Sequence, residues 1–255
     1  MNSTELQYMR AAGQATAAAL DFISPFVVEG ATTESIDDLC RTFIVEQLHG
    51  EPASLGYLGF PKSICTSVNH VIAHGIPGKY KLQDGDIVNV DIAVKLNGYF
   101  GDSSRMFCIG NVSKEAKHLV DQTQLAMWKG IFEVAPGKTV GDIGAAIMHH
   151  ANVQNLGVVW NYGGHGIGTK YHTTPQIANV GMPGTGVKLT SGMIFTVEPM
   201  LTLGTNDNHV ENDNWTVVTN DGKWSAQWEH TVLVTDSGFE ILTLGQGEVI
   251  PVFDK

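Results

Sequence analysis

The stretch KLQDGDIVNVDI (Lys81–Ile92) returns later in the chain as KLTSGMIFTVEP (Lys188–Pro199), and the pairing of the two decides the fold. Lys, Leu, Gly, Ile and Val coincide at their positions, and Asp91 falls on Glu198. The same offset carries Gly30, Thr32 and Ile36 onto Gly137, Thr139 and Ile143. It also carries a helical pattern opening near Thr4 onto one opening near Asn111–Ser113. Such an internal repeat predicts two pseudo-symmetric halves, about 4–110 and 111–250, each of two helices followed by antiparallel strands. The fold class is therefore α+β. At 255 residues the chain can bury the core of one such two-lobed domain.

The repeat carries acids where acids are unusual. Asp91 (NVDIAV), Asp102 (FGDSSRMF), Glu198 (FTVEPM) and Glu229 (QWEHTVLV) all sit at or near predicted strands. Carboxylates are depleted in strands and are almost never buried without a partner. With His165 from the glycine-rich run GGHGIG they form an oxygen-rich set with one imidazole, and four carboxylates balance two divalent ions. That donor chemistry suits Co, Mn, Fe(II) or Zn better than a thiolate zinc site. Two such ions side by side clamp a water and a carbonyl or phosphoryl oxygen for hydrolysis.

Local geometry supports the cluster. Asn97-Gly98 is a strong two-residue hairpin signal, so Asp91 faces Ser104 and Ala93 faces Asp102. Side chains alternate with period two, which makes the two aspartates diagonal neighbours on one face, roughly 5–8 Å apart. In the second half the acids are further apart in sequence, and the intervening Asn208 to Trp224 reads as an inserted hairpin near the site.

The remaining elements follow from pattern and punctuation. A helix is expected from about Thr4, with Gln7 completing a capping box, to just before Pro25. A second is expected over 33–48 with Ile36, Leu39, Cys40, Phe43 and Ile44 as its apolar stripe. Strands are expected over 63–68 and 87–109, helices over 113–134 and 139–154, then strands to about Leu244. His70 and His74 in HVIAH have helical zinc spacing, but Gly75 and Pro77 oppose a helix there. GGHGIGTK has the wrong Thr-Lys order for a phosphate loop, so its glycines are better read as permitting close backbone packing beside His165. His149-His150 is expected on an exposed helix face.

Composition narrows the class of function. A formal charge of −11 argues against non-specific nucleic-acid binding. The start MNSTELQYMR has no apolar signal core, and no apolar run approaches membrane length. Cys40, Cys65 and Cys108 share no metal spacing and fit a reducing compartment, so a cytoplasmic location is expected.

Almost the whole chain resembles the type I methionine aminopeptidases, which have the pita-bread fold. The stretches that carry this are LGYLGFPKSICTSVN (55–69), HGIP (74–77), DGDIVNVDIAV (84–94), GDSSRMF (101–107), GGHGIG (163–168), FTVEPM (195–200) and SAQWEHT (225–231). The resemblance implies two metals ligated by Asp91, Asp102, His165, Glu198 and Glu229, with Asp102 and Glu229 bridging. It implies that His74 and His172 touch the substrate; Glu198 is the general acid/base candidate, because a terminal carboxylate ligand can exchange a proton with bound water. It places Tyr57, Phe60, Cys65, Tyr171 and Trp215 around a methionine side chain; from composition alone each is ordinary core. The implied activity is removal of the initiator methionine from nascent polypeptides with a small second residue. A monomer in transient contact with the ribosome, without membrane association, is implied as well.

Departures from the family pattern fall at the pocket. Ser54 and Leu58 stand where cysteine and histidine are usual, and Thr173-Thr174 where many relatives have two glutamates. Two other readings compete: a pita-bread peptidase of X-Pro specificity, which usually carries an extra N-terminal domain, and a non-catalytic paralogue, which typically loses ligands.

Overall fold

The computed structural model describes residues 2–253. In the first half α1 (Ser3–Ile23) and α2 (Thr33–Thr42) precede β1 (Glu51–Pro52), β2 (Cys65–Val68), β3 (Val71–Ala73), β4 (Ile87–Leu96) and β5 (Tyr99–Cys108). In the second half α3 (Lys114–Ile131) and α4 (Val140–Val153) precede β6 (Gly157–Val158), β7 (Gly163–Gly166), β8 (Thr173–Ala178), β9 (Ile194–Val197) and β10 (Met200–Thr202). β11 (Asn208–Val210), β12 (Val217–Thr219), β13 (Ser225–Gln227), β14 (His230–Val234) and β15 (Phe239–Ile241) complete it.

The repeat is visible atom by atom. Thr32 bridges Lys81 in the first half and Thr139 bridges Lys188 in the second. Gly30 N donates to Leu82 O at 2.7 Å, and Gly137 N to Leu189 O at 3.0 Å. Both glycines have a positive φ, 83° and 92°, which explains why glycine recurs there.

Each half packs its helix pair on its own sheet. Ala19, Leu20, Ile36 and Ile44 meet Val88, Val90, Ile92 and Val94 of β4. Leu119, Met127, Ile143 and Ile147 meet Phe195, Val197 and Val232. Because strand side chains alternate, burying Val88, Val90, Ile92 and Val94 under the helices turns Asn89 and Asp91 to the opposite face. β4 and β5 form the expected hairpin, with Asp91 opposite Ser104 and Ala93 opposite Asp102. Its turn residues Asn97 and Gly98 have φ of 54° and 82°, as a type I′ turn requires. The second half forms a five-stranded sheet in the order β15-β14-β9-β7-β8.

The halves are stitched where β5 meets β14. Ser104 and Glu229 exchange backbone hydrogen bonds at 3.4 and 3.3 Å, and Thr231 Oγ1 donates to Asp102 O at 2.7 Å. Acidic faces of both halves thereby meet along one seam. The expected insert is a hairpin, β11 on β12, and β12 pairs in turn with β3 beside that seam.

Three expectations need correction. The first helix is capped by Asn2 with Glu5, not by Thr4 with Gln7, since Asn2 accepts from Glu5 N while Glu5 reaches back to Asn2 N. Asn2, two residues earlier, has the extended backbone a cap needs, at φ −81° and ψ 173°, whereas Thr4 is already inside the helix. Leu39 lies off the apolar stripe and is exposed, while Ile36, Cys40 and Ile44 are buried. The buried positions follow the i, i+4, i+8 row, which leaves Leu39 at its edge; the helix then ends in a π-turn over Phe43–Gln47. His149 is exposed, but His150 is half-buried and bonded to Gln122 at 3.0 Å.

Candidate active site

The seam brings the five expected ligands to one place. One donor atom each from Asp102, His165 and Glu229 lies within 4.8 Å of the other two. His165 Nε2 is 3.5 Å from Asp102 Oδ2 and 3.7 Å from Glu198 Oε1. Asp91 does not fall within that tight group, but it is close enough that Asp102 and Glu198 raise its pKa electrostatically. Asp102, His165, Glu198 and Glu229 are all buried, Glu229 to 1% exposure.

The glycines around His165 act as the sequence suggested. A Cβ at Gly164 would overlap the Thr196 carbonyl oxygen, and one at Gly166 the Thr174 carbonyl oxygen. The strand bearing His165 thus lies against β9 and β8 more closely than any other residue permits. His165 N donates to Thr196 Oγ1 at 3.0 Å. Its Nδ1 donates to Gly166 O at 3.1 Å, which leaves the Nε2 lone pair facing the carboxylates. Burial lowers the His165 pKa, but Asp102, Glu198 and the Gly166 carbonyl outweigh it and hold the group above its ordinary value.

Two second-row side chains were not foreseen. Thr196 Oγ1 donates to Glu198 Oε1 at 2.7 Å, and Gln227 Nε2 donates to Glu198 Oε2 at 3.1 Å. Thr196 is two residues before Glu198, and Gln227 two before Glu229. Period-two alternation applied to FTVE and QWE puts each on the same face as its acid, so the signal was present.

Without a cation this arrangement is costly. Burial first, and neighbouring carboxylates second, push Asp91 and Glu229 well above the ordinary carboxylate range; burial also raises Glu198. Asp102 Oδ1 and Glu229 Oε1 are buried with no hydrogen-bond partner. Orphaned anionic oxygens beside an imidazole lone pair are what divalent cations satisfy, and the donor set fits them.

An open cavity of about 1300 Å³ leads to these groups. His74 and His172 both line it, His74 in a left-handed conformation at φ 57°. Trp215 and Tyr162 present themselves edge-on to His74, at 6.1 and 6.0 Å between ring centroids. His172 is stacked on Tyr57 at 5.0 Å and lies 4.0 Å from the His165 ring. Burial holds both pKa values down, that of His172 to about 4, so both imidazoles are neutral at pH 7. Phe60 meets Trp215 edge-on at 5.1 Å, and Phe100 stacks on Tyr171 at 5.6 Å. Cys65 is buried directly opposite Asp91. Ser54, one of the departures, shares a 3.2 Å hydrogen bond with Tyr171 OH.

Two helix-covered half-sheets closing on a buried acid–histidine cluster define a pita-bread metallopeptidase. The chain belongs to metallopeptidase family M24, whose profile matches residues 7–236, and groups there with the methionine aminopeptidases. It is 52% identical over 237 residues to the methionine aminopeptidase of Rickettsia prowazekii, covering 92% of this chain and 91% of the relative. It is 42% identical over 248 residues to that of Escherichia coli K12, covering 97% and 94%. The crystal structure of the Rickettsia prowazekii enzyme superposes with a TM-score of 0.94 over 96% of this chain and 98% of that one. A prolidase from Pyrococcus horikoshii shares the fold at a TM-score of 0.74 and 17% identity, covering 96% of this chain and 63% of that one.

Proposed function

We propose that the protein removes N-terminal methionine from nascent proteins and peptides with a small second residue. Two divalent ions would be held by Asp91, Asp102, His165, Glu198 and Glu229, with Asp102 and Glu229 shared between them. The observation that carries this reading is the buried seam itself, where acids from both halves converge within 4.8 Å of His165 and Asp102 and Glu229 each keep one oxygen without a hydrogen-bond partner. Divalent cations bound there supply Lewis-acid polarisation of a carbonyl and lower the pKa of water.

The chain's own groups do the rest. A neutral His172 keeps one N–H, which it can direct at the oxygen that gains charge as the carbonyl is attacked. His74 lines the same cavity, where its ring can hydrogen-bond the scissile amide nitrogen. Glu198 can hold a proton at a carboxylate oxygen, since burial raises its pKa. Thr196 and Gln227 fix the orientation of that carboxylate. Tyr57, Phe60, Cys65, Tyr171 and Trp215 line the cavity and form a wall suited to an unbranched apolar side chain.

The two halves act as one catalytic unit, because each supplies acids to the same seam. A monomer meeting nascent chains at the ribosome in the cytoplasm fits this task. The free thiols Cys40, Cys65 and Cys108 support a reducing compartment, and no helix among the described residues is long and apolar enough to cross a membrane. The test is cleavage of Met-Ala-Ser against an X-Pro peptide after reconstitution with Mn, Co, Fe(II) or Zn. Preference for the X-Pro peptide would overturn the reading.

A further inference from the structure

Seven non-glycine residues among those described have positive φ, and six of them are asparagine or histidine, which tolerate that region. The seventh is Leu58, at φ 48°. Leucine in this conformation is strained, because its Cβ crowds its own backbone. It is also 81% exposed, so no packing inside the chain offsets the strain.

The surrounding turn enforces the conformation. Gly56 and Gly59 flank Leu58 with φ of 80° and 91°. Gly56 N donates to Phe60 O at 2.8 Å, Tyr57 N to Ser54 O at 3.1 Å, and Phe60 N to Tyr57 O at 2.9 Å. A strained residue so firmly held is a mark of a functional position.

Its location supplies the function. Leu58 lines the active-site cavity, and so does Trp160, which is 59% exposed. Leu58 follows Tyr57, the ring stacked on His172; Trp160 is two residues from Tyr162, the ring edge-on to His74. Two exposed apolar side chains therefore line the same cavity as the catalytic groups. The cavity's other lining in this region, Asn161, Thr173, Thr174 and Gln176, is uncharged. A peptide whose N-terminus reaches the acid seam must leave through the open side, carrying its third residue past these groups.

We propose that Leu58 and Trp160 form a distal subsite that grips an apolar side chain at the third residue of the peptide substrate. The register of that residue rests on the methionine-removal reading. The occupant is the substrate's own continuation, because the apolar pair is continuous with the catalytic cavity. An acidic third residue is disfavoured, since Leu58 and Trp160 are apolar and the lining carries no lysine or arginine to pair with it.

The metal-loaded enzyme should be assayed on Met-Ala-Gly, Met-Ala-Leu, Met-Ala-Phe and Met-Ala-Asp. The expected kcat/KM for leucine and phenylalanine exceeds that for glycine roughly tenfold, with aspartate lowest. Leu58→Asn keeps a residue that accepts the left-handed conformation and removes the apolar surface. It should reduce the leucine-to-glycine ratio several-fold through KM while leaving the thermal midpoint equal or higher. Trp160→Asn should reduce the ratio similarly, whereas Val153→Asn, at an exposed apolar position outside the cavity, should leave it unchanged. A flat third-residue series with Met-Ala-Gly well cleaved overturns this subsite alone. A preference that survives in both Leu58→Asn and Trp160→Asn does the same. Failure to cleave Met-Ala-Gly at all overturns the methionine reading and the subsite with it.

Discussion

Replacing Glu229 by glutamine should make the metal-free protein more stable and the metal-responsive protein less so. Glu229 and Asp102 bring donor atoms within 4.8 Å in the interior. At an effective permittivity of about 20, two charges at that separation repel by about 3.5 kcal/mol. Burial and neighbouring carboxylates raise the Glu229 pKa, which favours its protonated form and relieves part of this, so a net gain of about 1–3 kcal/mol is expected for the amide. For a chain of this size that is a rise of roughly 3–9 °C in the thermal midpoint. The substituted amide is not orphaned, because its N–H groups enter a cluster of acceptors that includes the unpartnered Asp102 Oδ1. Wild-type protein at a divalent concentration of 100 Kd gains about 2.7 kcal/mol, and the variant should lose most of that shift along with its activity.

Differential scanning fluorimetry after chelation, with and without added Mn(II) or Co(II), measures both effects in one experiment. The pH dependence has a definite sign. Asp91, Glu198 and Glu229 all have raised pKa values in the folded chain, so the folded state binds more protons than the unfolded one above the ordinary carboxylate range. Metal-free stability should therefore fall as pH rises from about 4 upward, and saturating divalent ion should flatten the decline. A less stable metal-free Glu229→Gln protein that keeps its full metal-induced shift would refute the reasoning.

Asp102→Ala should abolish activity and lower the metal content of the purified protein, as elemental analysis would show; near-normal turnover would remove the shared-ligand role. His74→Ala and His172→Ala should keep bound metal while kcat falls by roughly a hundredfold or more, and an effect of His172→Ala on KM alone would withdraw its oxyanion role. Gly164→Ala should cost about 1–3 kcal/mol in urea unfolding and depress activity, because the added methyl forces apart the strands bearing His165 and Glu198. Across Met-Ala, Met-Gly, Met-Ser, Met-Lys and Met-Phe peptides, kcat/KM should drop sharply for the last two, and norleucine should replace methionine better than any charged residue.

Much of this was legible in the chain because the informative features are local or repeated. The Asn97-Gly98 turn sets the register of β4 against β5, and that register alone fixes Asp91 and Asp102 on one face. The Lys81–Lys188 correspondence identified the second half without any knowledge of its strands, and the bridges at Thr32 and Thr139 show why those residues recur. Asn2–Glu5 and Thr4–Gln7 satisfy the same capping pattern two residues apart, so spacing alone does not separate them, and the structure uses Asn2. The strain at Leu58 was invisible for a different reason. A left-handed leucine has no sequence signature of its own; it is imposed by the turn between Gly56 and Phe60.

The duplicated architecture also explains why the site lies where it does. In each half the helix pair covers one face of the sheet, and alternation sends polar residues to the other. A half on its own would leave that face in water, where Asp91 or Glu198 would need no partner. Joining the halves through Ser104, Glu229, Asp102 and Thr231 buries Asp102, Glu198 and Glu229 beside one another at the base of the cavity. Folding thus creates the electrostatic penalty and the cation-binding capacity in the same step. On the proposed reading, the same carboxylates that repel one another in the metal-free chain would serve, with His165, as ligands when charge is supplied. Thr196 and Gln227, one on each side of Glu198, keep one acid from collapsing onto its neighbours in the meantime. The penalty and the affinity have one origin, so a variant that relieves the first without weakening the second should be unobtainable at Asp102 or Glu229.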